Sequence, residues 1–345
     1  MASHYASYIT LFLIILGVIF PSQVSSSQIF SQGYIKNTHE KWLTEHGRVY
    51  KDAAEKKMRF RIFKRNVQLI EAFNRGEDKG FKLAVNRFAD ITDDEFRKFH
   101  VGFNSSMIAT SFAMSTNKNT FKYANVKDVP PAIDWREKGA VTPVKNQGEC
   151  SCCYAFSAVA AIEGITQITQ GNLISLSEQQ IVDCDKQDHG CNRGYMEYVY
   201  NFIQQNNGIT SESYYPYKGT QGWCQYDLAN YPATKITGFQ FVPKNSEADL
   251  LKAVVNQPVS TGICGSDYRF RFYSSGIYNV ECSTDLDHAV TAVGYGTTSD
   301  GIKYWIVKNS WGTNWGDNGF GYLLRDIANP QGTCGIAAYA TFPTI

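Results

Sequence analysis

Between Asn146 and Ser157 the chain reads NQGECSCCYAFS, with Cys150, Cys152 and Cys153 inside four residues. A metal centre is one use of such a cluster. Zinc sites, however, take spaced pairs with further Cys or His ligands, and adjacent Cys152 and Cys153 do not comfortably reach one ion. Nucleophilic chemistry suits the block better. A helix read from Tyr154 to Gln170 puts Cys153 at its N-terminus, where free N–H groups and the helix dipole favour a thiolate. A neighbouring imidazolium would lower that thiol's pKa further. Of six histidines, His4, His39, His46 and His100 precede the block. His189 lies in the polar loop KQDHGCNRG and reads as a solvated residue, whereas His288 opens the apolar run HAVTAVGYG. A His at a strand entry is by itself more often structural, so its standing depends on its company.

The elements that must bring these residues together are helices first and strands afterwards. Tyr154–Gln170 and Ser177–Asp183 read as helices, and after Ala233 the pattern turns to β-rich runs such as HAVTAVGYG and YWIVKNS. That order predicts an α+β fold of two subdomains with a site at their seam. Ahead of them, Glu55, Arg59, Phe63, Asn66, Ile70 and Asn74 are spaced to share one helix face. Residues 103–125 are rich in Ser, Thr and Asn and read as a linker carrying the sequon at Asn104. Pro130-Pro131 bars helix. Ile9 to Phe20 is uncharged but too short to span a bilayer, and small residues follow, so residues 1–26 read as a secretory signal peptide.

Nine cysteines, all from Cys150 onward, point to an oxidising compartment, and the odd number leaves at least one thiol unpaired. With 43% apolar and 19% charged residues and a net charge of +1, the composition excludes a disordered chain or a nucleic-acid binder. The near-neutral total hides an asymmetry. Ser27–Asp128 holds 19 basic and 12 acidic residues, the remainder to the C-terminus 14 and 20. Two such segments are expected to attract each other at neutral pH. Independently solvated surfaces are the equal alternative.

Taken jointly, the motifs resemble the papain family of cysteine proteases in proenzyme form. The Gln147–Cys153 block, DHAV around His288 and KNSWG around Asn309 stand in the family's order. The six-residue helix face resembles the ERFNIN pattern of cathepsin L-like, plant-like members. Asn86, Phe88 and Asp90 resemble its second prosegment motif, with Ala84 where Gly is usual. The resemblance implies a papain-like fold: a helical and a β-barrel-like subdomain behind a helical inhibitory prodomain. It divides the chain into 1–26 signal, 27–128 propeptide and 129–345 mature endopeptidase. It implies Cys153 as nucleophile, His288 as general acid/base, Asn309 as orienter of the imidazole, and Trp311 as shield of that bond. Gln147 and the Cys153 N–H would stabilise the oxyanion. It further implies disulfides Cys150–Cys191, Cys184–Cys224 and Cys282–Cys334, leaving Cys152, Cys153 and Cys264 reduced. The S2 subsite would be lined by Tyr195, Met196, Gly262, Leu286, Ala289 and Tyr339, which predicts an apolar or aromatic P2 residue. Gly194 and Asp287 would bind substrate beside it. No metal or other cofactor is expected. The partners implied are peptide substrates, the chain's own propeptide and cystatin-like inhibitors, around a monomer in a vacuole, a lysosome or the extracellular space.

Departures from the family fall at the site. Ser151 and Arg193 replace two glycines of the S1 subsite, which predicts a narrowed S1 favouring acidic or polar P1 side chains. Cys152 adds a second thiol, open to oxidation, and Tyr154 stands where Trp is usual. These changes keep a catalytically impaired storage or binding homologue as the alternative. A thiol-redox protein is the remoter rival, since no isolated C-x-x-C on a βαβ pattern is present. The charge asymmetry predicts that acid loosens the prosegment by protonating carboxylates that hold it, permitting cleavage between Asn117 and Val129.

Overall fold

The computed structural model describes residues 32–103, 121–280, 282–283 and 285–345. They fall into two compact units divided after Val49. The signal segment, Asn104 and the first residues of the expected cleavage stretch lie outside the described residues. In the first unit, helix α1 (Gln32–Glu45) stacks His39 on Trp42 with centroids 6.0 Å apart.

The second unit begins with α2 (Ala53–Arg75). Asp52 caps it by accepting the Glu55 N–H at 2.8 Å, and Phe63, Asn66, Val67 and Ile70 form its buried stripe. The asparagines on this face act as staples, because an amide side chain offers both a donor and an acceptor. Asn74 donates to Leu83 O at 2.7 Å and accepts Leu83 N–H at 3.0 Å, while Asn66 donates to Ala89 O at 2.9 Å. They dock β1 (Phe81–Leu83) and the turn after it onto the helix. Next comes α3 (Asp93–Phe99), closed by a reciprocal capping box between Thr92 and Glu95. Arg59 of α2 reaches the same Glu95 at 2.8 Å and the Asp90 carbonyl at 3.2 Å.

After β2 (Ile133–Asp134), α4 (Cys153–Gln170) is apolar and buried on nearly every side, which makes it the axis of the helical half. Gly171, left-handed at φ 75°, ends it. Against it pack α5 (Glu178–Cys184) and α6 (Met196–Gln205), and Gln180 of α5 donates to Ala229 O of the short α7 (Tyr226–Ala229) at 3.3 Å. The other half interleaves β3 (Gly238–Phe241), α8 (Glu247–Val254), β4 (Val259–Ile263), α9 (Tyr268–Arg271) and β5 (Tyr273–Tyr278). It ends with β6 (His288–Thr297), β7 (Lys303–Lys308), β8 (Phe320–Leu324) and β9 (Ala340–Thr344). The sheet runs β1-β5-β8-β7-β6-β4-β9-β3, with β2 also on β6. It is an open sheet, barrel-like only in part.

Three features join these pieces. Helix α4 packs on β6. Beside it Lys145 Nζ bonds Glu163 at 3.0 Å and Glu178 at 2.8 Å, and Lys308 of β7 bonds Thr142 at 2.8 Å, so each buried charge has partners. The front segment then adds itself to the sheet: β1 pairs antiparallel with β5, Phe81 opposite Gly276. Asn86 donates to Arg271 O at 2.7 Å, and Asp93 pairs with the buried Arg271 at 2.9 Å. That last pair reverses the polarity expected from the charge counts, since the acid belongs to the front segment. Disulfides join Cys150–Cys191, Cys184–Cys224 and Cys282–Cys334, and Cys152, Cys153 and Cys264 are free and buried.

Candidate active site

Cys153 is the first residue of α4, and its thiol lies against the backbone N–H groups of Ala289 and Gly102. Ala289 follows His288, so the fold brings the two remote segments together at the sulfur. His288 is fully buried, and its Nε2 stands 2.8 Å from Asn309 Oδ1. That oxygen also accepts the Ser310 N–H at 2.8 Å, which fixes the amide's orientation and makes Nε2 the protonated nitrogen. Nδ1 is thereby left as the base. It has no hydrogen-bond partner among the described residues. Trp311 stacks on the imidazole with centroids 4.4 Å apart and covers the Asn309 bond. A side chain on Gly265 would sit 2.5 Å from His288 Cβ, so glycine there permits the ring's seat.

Gln147 is clamped at both ends. Its N–H donates to Ser310 O at 2.8 Å and its Oε1 accepts from Ser310 Oγ at 2.6 Å. Nε2 then faces the cleft, donating to Cys150 O at 2.9 Å and to His100 O at 3.3 Å. Trp311 Nε1 donates to the same His100 carbonyl at 3.2 Å.

Residues 100–103 of the front segment thus run through the site. Gly102 stands over Cys153, its carbonyl accepting the Gly194 N–H at 2.9 Å. A Cβ on Gly102 would lie 1.7 Å from Ser151 O, so no other residue fits. Phe103 donates its N–H to Asp287 O at 2.9 Å and buries its ring among Tyr195, Tyr339, Gly262 and Leu286. Met196 and Ala289 belong to the same apolar cluster. All six residues expected to line S2 therefore converge, and a phenylalanine fills the space between them. Because Gly102 precedes Phe103, the chain crosses the cleft opposite to a substrate, whose P2 residue precedes P1.

Burial under this strand sets the charge state. It pushes the Cys153 thiol up to about 12, and it pulls His288 down to about 4 against the raising effect of Asn309. The covered site therefore holds neutral thiol and neutral imidazole.

Among the departures, Ser151 is fully buried and donates to Lys98 O at 2.8 Å. Arg193 is exposed and lines, with Arg97, Lys98, Val101, His189 and Asn192, a surface cavity of about 500 Å³. It stands on the rim of that cavity. Cys152 is fully buried against the Tyr217 hydroxyl, which removes it from oxidants in this form. Tyr154 keeps its ring against Gly194 and uses its hydroxyl on Gly190 O at 2.9 Å. Sequence reasoning missed Gly102, Phe103, Gly265, Ser310 and Tyr217. The first two lay at the edge of an apparent linker, although a lone aromatic beside a glycine was the available signal.

Residues 129–344 match the papain family cysteine protease domain and residues 39–96 the cathepsin propeptide inhibitor domain. The chain belongs to the papain family and is a cysteine-type endopeptidase carrying an inhibitory propeptide. It is 52% identical over 314 residues to the senescence-specific cysteine protease SAG12 of Arabidopsis thaliana, covering 90% of each chain. It is 44% identical over 333 residues to vignain of Phaseolus vulgaris, covering 96% of this chain and 91% of that one. The crystal structure of the ragweed pollen cysteine protease Amb a 11 in its proform superposes with a TM-score of 0.85 at 40% identity. That match covers 91% of this chain and 96% of the other.

Proposed function

We propose that this zymogen matures, by loss of the propeptide up to the region of Val129, into an endopeptidase whose nucleophile is Cys153. In the uncovered cleft the thiolate attacks the scissile carbonyl, and the oxyanion is received by Gln147 Nε2 and the Cys153 N–H. His288 Nδ1 gives its proton to the leaving amine, the acyl-enzyme forms, and the same nitrogen activates the hydrolytic water. Asn309 holds Nε2–H throughout. The observation that carries this reading is the strand 100–103, which occupies the Cys153 thiol, Gln147 Nε2 and the S2 cluster at once.

The reading extends to specificity. Phe103 in the cluster of Tyr195, Met196, Gly262, Leu286, Ala289 and Tyr339 supports an apolar or aromatic P2 residue. Arg193 on the rim supports a preference for acidic or polar P1 side chains. Cystatin-like inhibitors, a monomeric state, glycosylation at Asn104, and passage through the secretory pathway to a vacuole or the exterior belong to the same proposal. Among the described residues no helix is long and apolar enough to cross a membrane.

The test is acid maturation followed by stoichiometric titration with an epoxysuccinyl inhibitor, with the adduct mapped by mass spectrometry. Labelling of Cys153 alone, with turnover of substrates bearing Phe or Leu at P2 and loss of both in C153A, supports the reading. Labelling elsewhere, or a preference for Arg at P2, defeats it. A P1 library that R193G leaves unaltered defeats the P1 part alone.

A further inference from the structure

The Gln147 carbonyl heads the peptide unit leading into Gly148, a left-handed glycine at φ 64° with no side chain to restrain it. Only a long bond from the Cys150 N–H, 3.4 Å, joins that carbonyl from its own loop. The short bond comes from far along the chain: Tyr217 Oη lies 2.7 Å from it. A carbonyl only accepts, so the single hydroxyl proton of Tyr217 is spent there. The other neighbour of Oη is Cys152 Sγ at 3.1 Å. With the phenol proton committed, Cys152 must be the donor, and burial keeps its thiol protonated by pushing its pKa up. The ring itself is held edge-on by Phe156, 5.0 Å between centroids.

We infer that Tyr217 is a positioning residue of the oxyanion site, fixing the Gln147 peptide through its hydroxyl, and that the Cys152 thiol orients that hydroxyl. The relay runs Cys152 S–H to Tyr217 O–H to Gln147 O. It gives the departure at Cys152 a task distinct from that of the adjacent nucleophile. The inference rests on the reading of Gln147 as the oxyanion donor.

The experiment separates oxyanion stabilisation from thiol reactivity. The mature enzyme and the variants Q147A, Y217F, C152S and C152A are assayed against a peptide aldehyde with Phe at P2, whose adduct with Cys153 places an oxyanion in the site. They are assayed in parallel by alkylation with iodoacetamide, which needs none. For Y217F, loss of one positioning bond is expected to weaken aldehyde binding about tenfold and lower kcat similarly. KM should stay within about twofold and alkylation rates unchanged. C152S, which keeps a donor, should match the wild type, and C152A should lose about fivefold. Aldehyde affinity unchanged in Y217F while Q147A loses it overturns the inference and leaves the Gln147 reading intact. Unchanged affinity in Q147A overturns both. A fall in alkylation equal to the loss of aldehyde affinity makes Tyr217 merely structural and also overturns it.

Discussion

Asn309 fixes a single proton, and with it the direction of proton flow in the site. Its Oδ1 accepts the Ser310 N–H, which fixes the amide so that the same oxygen accepts from His288 Nε2 and Nδ1 is left without the proton. Replacing it by alanine frees the ring to rotate and exchange tautomers, and kcat of the matured enzyme should fall about 10²-fold. The bond also raises the imidazole pKa. N309A should therefore bring the alkaline limb of kcat/KM to lower pH, as steady-state profiles would register. Gly102 supports a second prediction. Its missing Cβ admits the strand against Ser151 O, and G102A must expel residues 100–103, weakening self-inhibition about 10–10²-fold. The intact G102A zymogen should then cleave substrate at neutral pH, while its matured product, which no longer contains residue 102, equals the wild type. Latency unaltered in G102A would contradict the fit. The residues proposed as nucleophile, base, orienter and oxyanion donor, Cys153, His288, Asn309 and Gln147, were legible because their types and neighbours are dictated by chemistry. Gly102 and Phe103 were not, since a strand that crosses a cleft without regular pairing has no periodicity.

At the scale of elements, α2 and α3 act as one lever through Arg59, Glu95 and Thr92. Burial alone would raise the Glu95 carboxyl, but the bonds from Arg59 and Thr92 outweigh it and hold it below its ordinary 4.5. A carboxyl lowered in the folded state stabilises it above the ordinary value and loses that contribution as pH falls through the lowered one. The capping box and ion pair together are worth about 1–2 kcal/mol. E95Q should thus shift the midpoint of acid activation toward higher pH, read as cleaved fraction against pH. An unmoved midpoint would locate the trigger elsewhere. The face of α2 was legible from spacing, because a helix repeats its contacts every three or four residues. The site of acid sensitivity was not. Whole-segment charge counts pointed to basic prosegment on acidic enzyme, whereas Asp93–Arg271 has the opposite polarity and Glu95–Arg59 lies within the prosegment.

For the whole molecule, Glu95 of the front region and a group of carboxyls beyond Val129 are set to answer acid in opposite senses. The region beyond Val129 buries carboxyls around Tyr195: burial raises Asp188, Asp185 and Glu197, and the charge of Asp185 raises Asp188 further. Groups raised on folding favour the folded state at low pH and lose that contribution as pH rises through the raised values. Protonation of Glu95 is therefore expected to loosen the prosegment under the same conditions in which the raised carboxyls favour the folded enzyme. Asp188 accepts the Tyr195 N–H at 2.8 Å, which ties this buried carboxyl to the segment that carries Gly194 and Tyr195. Calorimetry of the matured, inhibitor-blocked enzyme should give a Tm that is highest in acid and declines as pH approaches neutrality. D188N keeps an oxygen for Tyr195 without a titrating proton, and should flatten that decline. A Tm that climbs toward pH 7, or a D188N profile parallel to the wild type, would remove Asp188 from the account and leave Glu95 as the acid-responsive part.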